Sequence, residues 1–128
     1  MASLFSHVHE VLKRFVQNLP QRPTKGDNLV PKLVITVLRR DFNKDLADKY
    51  VGGPPVACER FKDGQQFTVD SFNQPEGFCY WAWHDIFPFV SVLMRGGDFT
   101  PWMKEKDTLI ACCTDGIRPV IFELKRVE

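Results

Sequence analysis

The chain has 128 residues, 44% of them hydrophobic and 26% charged, with a net charge of +1 at neutral pH. That balance describes one ordinary globular domain with enough chain to bury a core, and excludes a disordered, collagen-like or disulfide-dense chain. Near-neutral charge removes any global electrostatic drive toward nucleic acid or an anionic membrane, and no stretch approaches the roughly 20 apolar residues that span a bilayer.

Within residues 1–19, residues 3–19 carry the cleanest period. Leu4, Phe5, Val8, Val11, Leu12, Phe15, Val16 and Leu19 recur at helical spacing, with Ser6, His7, Glu10, Lys13, Arg14 and Gln17 opposite. This predicts an amphipathic helix with Ser3 as its N-cap. Residues 20–31 hold three prolines and a glycine and read as a connector. The apolar stripe needs cover, either from its own domain or from a second copy of the chain, so a homo-oligomer through this helix is one expectation.

Residues 32–128 read as a single α+β domain. Lys32–Arg40 alternates, with Leu33, Ile35 and Val37 on one face, and predicts a strand. A short helix is expected over Lys44–Tyr50, capped by Asp41 or Asn43. Asp63-Gly64 is a turn signal, and Gln65–Phe72 a second strand. Phe78–Met94 reads as a helix from about Cys79, with Cys79, Trp83, Ile86, Val90 and Leu93 on one stripe. Pro88 falls inside it and predicts a kink near His84-Asp85 or a break into two helices. Gly96-Gly97 ends the element. Thr108–Cys113 and Val120–Val127 are expected strands joined by a turn at Thr114-Asp115-Gly116. The predicted architecture is a small, mainly antiparallel sheet packed with one aromatic-rich helix.

Without an uninterrupted apolar N-terminal stretch the chain is expected to be cytoplasmic, and Cys58, Cys79, Cys112 and Cys113 reduced. Thiolates with a His or a carboxylate suit zinc or another transition-metal ion, and Cys58, Cys79, Cys113 and Asp115 are the candidate ligands. The sequence has no C-x-x-C pair, and buried free cysteines also serve as small hydrophobes, so packing is the competing reading. Cys112 and Cys113 would point to opposite faces of a strand, so at most one joins a given site.

His84 and Asp85 are the candidate acid/base groups, because an apolar surround can bring a carboxylate into a useful range. Cys79 and Cys113 are the candidate nucleophiles. Trp81, Trp83, Phe87 and Trp102 are the candidate lining of a small-molecule pocket, with core packing as the alternative for every ring. Arg39, Arg40, Lys125 and Arg126 read as solvated strand ends, with no basic run suited to nucleic acid.

Four pieces carry a resemblance: CERFKDGQQFTV (Cys58–Val69), GFCYWAWHDIFPFV (Gly77–Val90), the Gly96-Gly97 pair, and ACCTDGIRPVIFELKRV (Ala111–Val127). They resemble a family of short bacterial and archaeal proteins without an assigned activity. The resemblance covers about residues 32–128. It implies Cys58, Cys79, Trp81, Asp85, Cys113 and Asp115 as the positions where the family's motifs match, and implies no chemistry for them.

Overall fold

The computed structural model describes residues 8–14 and 32–127. Residues 8–14 are helical (α1), and Val8, Val11 and Leu12 lie more than half exposed along it. The rest of the expected amphipathic helix and the connector fall outside the described residues. Beyond α1 the order is β1 (Leu33–Arg40), α2 (Lys44–Tyr50), β2 (Gln66–Val69), α3 (Tyr80–Met94), β3 (Thr108–Cys112) and β4 (Val120–Arg126). The α+β expectation holds: all strand pairs are antiparallel, in the order β2-β1-β4-β3.

The period-two pattern of β1 decides which face is covered. Leu33, Ile35 and Val37 are fully buried, as are Val69 on β2, Leu109 on β3, and Val120, Phe122 and Leu124 on β4. The α3 stripe of Trp83, Ile86, Val90 and Leu93 closes on them, joined by Ala82 and Met94. Much of the aromatic content is core. Phe61, Phe67, Phe78 and Phe122 meet mostly edge to face with centroids 4.9–5.9 Å apart, and Trp83 stands against Phe78 at 6.0 Å. Edge-to-face contact sets the positive rim of one ring against the negative face of the next.

Helix α3 is a single element, not two. Pro88 and His84 both lie on its exposed side, so the hydrogen bond that Pro88 withdraws from the His84 carbonyl is lost where water can replace it. The helix ends at Met94, and Gly96 two residues on, with a φ of +85°, makes the left-handed turn that glycine adopts without strain. Arg126 then closes the end. Its Nη1 donates to the carbonyls of Leu93 at 2.7 Å and Gly97 at 2.8 Å, and its Nη2 to that of Lys106 at 3.4 Å. Arg126 is therefore a helix-terminating residue, not the solvated strand end its sequence position suggests.

A register shift between Val37 and Arg39 breaks the alternation of β1. Cross-strand partners share a face, and past the shift Arg40 pairs with the buried Val120. The bulge thus turns Arg40 toward the covered face. There Arg40 Nη1 donates to the Cys58 carbonyl at 3.0 Å and Nε to Asp63 Oδ1 at 3.0 Å. Arg40 too is a structural residue rather than a solvated charge.

Candidate functional site

Three chain segments converge at the end of the sheet where α3 begins. The first is the stretch leading into Phe61, held by Arg40. The second is the first turn of α3. Cys79 is its N-cap residue, and the Cys79 carbonyl accepts the Trp83 N–H at 2.9 Å. The third is the loop between β3 and β4. Cys113 N donates to the Val120 carbonyl at 3.2 Å, and the Val120 N–H donates to Cys113 Sγ at 3.3 Å. Asp41 and Asn43, ahead of α2, tie the far side of that loop down. Their N–H groups donate to the carbonyls of Pro119 and Ile117, and Asn43 Nδ2 donates to that of Gly116 at 2.7 Å. Asn43 occupies the cap position of α2, yet its side chain serves the loop instead of the helix.

Between these segments lies a cavity of about 450 Å³. Cys58, Cys79 and Cys113, all half-buried, line it together with Trp81, Asp115, Thr114, Arg60 and Arg118; Phe61, Ala82 and Val120 are its apolar floor. Its size is that of a small organic ligand. Of the adjacent pair, Cys113 faces the cavity and Cys112 is exposed, as strand alternation requires.

A short relay holds the rim. The Trp81 indole N–H donates to Thr114 Oγ1 at 2.6 Å, and Thr114 Oγ1 and N donate to Asp85 Oδ2 at 3.0 and 2.8 Å. The Asp85 side chain is only 10% exposed. A carboxylate buried so far requires hydrogen-bond donors, and Thr114 supplies two. The carboxylate of Asp115 accepts the N–H groups of Ile117 and Arg118 at 3.0 Å each, and the Arg118 guanidinium at 3.2 Å. Partial burial pushes the Asp115 carboxyl up. The Arg118 and Ile117 N–H groups and the Arg118 charge outweigh that and hold it below the ordinary carboxylate value.

The remaining sequence candidates separate. Asp85 does not line the cavity and reaches it only through Thr114. His84 is 80% exposed, with Nδ1 3.9 Å from Asp85 Oδ1, and it faces a different groove with Phe87 and Trp83. Those two rings pack together at 5.6 Å, with Trp83 in the core. Trp102 is exposed beside Met103 and Lys104, in a third depression. The expected ring set is therefore dispersed, and Trp81 alone reaches the thiols. Helical spacing explains the split, since Trp81 and Trp83 are two residues apart and point about 200° apart around the axis.

Among the described residues no three His, Cys, Asp or Glu side chains stand close enough to hold a metal ion. Cys58, Cys79, Cys113 and Asp115 line one cavity without forming a chelating cluster, and Asp115 is already engaged by Arg118. The sequence reading missed Arg60, Arg118 and Thr114, which lie outside any motif that names a chemistry.

Among the described residues no helix is long and apolar enough to cross a membrane. Set against known protein families, curated proteins and solved structures, the chain matches none.

Proposed function

We propose that this chain binds a small organic molecule in the thiol-lined cavity, and that the thiols carry whatever chemistry follows. The observation that supports this most is convergence. Cysteines 58, 79 and 113 come from three separate segments, and each segment is fixed by its own hydrogen bonds, yet all three open on one space beside a single flat indole. Each of the three also packs against the hydrophobic core, and their shared opening is what sets them apart from Cys112. In the catalytic form of this reading Cys113 or Cys79 is the nucleophile, acting as the thiolate. Asp85 is a positioning residue that holds Thr114 and, through it, Trp81.

The test is timed alkylation of the folded chain with iodoacetamide, read by peptide mass spectrometry, with and without a panel of planar aromatic compounds. At least one compound should slow alkylation of Cys58, Cys79 and Cys113 together while Cys112 reacts unchanged. Cavity thiols that stay inert while Cys112 reacts, or rates that no compound alters, refute the reading.

A second reading, a homo-oligomeric interaction module, rests on the exposed Val8, Val11 and Leu12 of α1. Deletion of residues 1–19 should then lower the number of copies per particle found by light scattering. An unchanged number of copies removes this reading.

A further inference from the structure

The cavity's charge says more about its occupant than its thiols do. Two arginines line it, Arg60, which is exposed, and Arg118. Arg118 is matched by Asp115. Arg60 makes no ion pair and no hydrogen bond among the described residues, although Arg40, also on this side of the sheet, makes both. The third source of positive potential is α3. Its first turn lines the cavity and contains no acidic residue, and Cys79 offers no side-chain cap. A 15-residue helix presents unpaired N–H groups and roughly half a positive charge at that end. Of the carboxylates that line or adjoin the loop between β3 and β4, Asp115 is engaged by Arg118 and Asp85 by Thr114.

We propose that the cavity selects a small organic anion, with its carboxylate or equivalent acidic group against Arg60 and its apolar body against Trp81 and the thiols. This rests on the small-molecule reading above and names the ligand's chemical class. The cation is placed to neutralise a charge that would otherwise have to be desolvated unpaired. An electrophile with such a tail would be steered to the thiols with its reactive carbon toward them.

Iodoacetate and iodoacetamide test this, because they share a reacting carbon and leaving group and differ by one charge. With either, a cysteine thiol gives its proton to solvent and the thiolate attacks the methylene carbon. A C–S bond forms as the C–I bond breaks, and iodide leaves with the electron pair. The ratio of the two rates is measured at every cysteine of the full-length folded chain, with Cys112, which lies outside the cavity, as the internal reference. At one or more of Cys58, Cys79 and Cys113 the iodoacetate-to-iodoacetamide ratio should exceed that at Cys112 by about five-fold, the effect of one water-screened charge pair. Arg60→Ala should bring the ratio down toward the Cys112 value, and Arg60→Lys should retain part of it. Reactive cavity thiols with the same ratio as Cys112, or a raised ratio that Arg60→Ala leaves intact, overturn the anion selectivity and spare the small-molecule reading. Cavity thiols inert to both reagents while Cys112 reacts overturn both. The comparison within the wild-type chain decides the matter even if a variant fails to fold.

Discussion

The two ends of α3 use the same kinds of group to opposite purpose. At the C-terminal end, helix carbonyls, a guanidinium and a glycine pair meet and pair with one another. Arg126 caps the carbonyls, and the Gly97 N–H donates to Val92 O at 2.9 Å. At the N-terminal end, the first turn of the helix, two arginines and three cysteines line about 450 Å³ of open space. Matched polar groups hold a fold together, whereas Arg60, exposed at the cavity, makes no such match among the described residues.

Substitutions at the two ends should therefore fail differently. The largest effect is expected from Arg126→Ala. It removes the guanidinium's bonds to the carbonyls of Leu93, Gly97 and Lys106, of which Leu93 keeps the Gly96 N–H, and should cost about 2 kcal/mol, at the level of a lost charge-assisted bond. Urea unfolding should show a lower midpoint with an unchanged slope, and alkylation of the cavity thiols in the folded fraction should not change. A loss under about 0.5 kcal/mol would place those carbonyls in water and undo the contrast.

Gly97→Ala comes next. A Cβ there would lie 2.7 Å from Val92 Cγ1 and 3.0 Å from Val92 O, and overpacking of this kind costs about 1–3 kcal/mol. Adding Val92→Ala should recover part of the loss, since it removes the side-chain clash and leaves the carbonyl contact. Full recovery would show that the backbone contact carries no cost.

At the other end, Thr114→Val should cost only about 1 kcal/mol, because it removes the hydroxyl bonds to Trp81 and Asp85 and leaves the backbone N–H on Asp85. Its larger effect should be on the cavity. Trp81 loses its anchor, so alkylation rates at Cys79 and Cys113 should change where those at Cys112 do not. Asp85→Asn should behave in the same way with a smaller stability change, since an amide oxygen can still accept from Thr114. A variant that is strongly destabilised while its thiol rates hold would make Asp85 scaffold.

The smallest effect is a pH dependence. The carboxyl of Asp115 is lowered in the fold, so its charged form contributes stability above the ordinary carboxylate range, and that contribution is lost as pH falls toward the lowered value. Asp115→Asn should be less stable than the parent near pH 7, and the difference should close below about pH 4. A gap that persists undiminished in acid would mean that its origin is not the carboxylate charge.

Local pattern carried much of this architecture. Alternation in Leu33–Arg40 named the buried face of β1, the stripe from Trp83 to Leu93 named the buried face of α3, and Asp63-Gly64 and Gly96-Gly97 marked real turns. These are properties of a strand or helix with water on one side, and they depend only on neighbours in the chain. Three of the four thiols and Asp115 could be named as candidates from their residue types, and only the structure shows them lining one cavity. What the chain order could not reveal depends on contacts between distant segments. The bulge that turns Arg40 inward is a mismatch with β4, the relay from Trp81 to Asp85 passes through a threonine about 30 positions away, and Arg126 finds the end of α3 from the far end of the sheet. The same physics split the expected aromatic wall, since a helix sends residues two apart to opposite sides and only the sheet decides which side is core. The sequence by itself thus determined the elements and their inner faces, through periodicity. Only the tertiary structure decided which thiols, rings and cations share a space, because that is set by closure of the sheet and helix around one another.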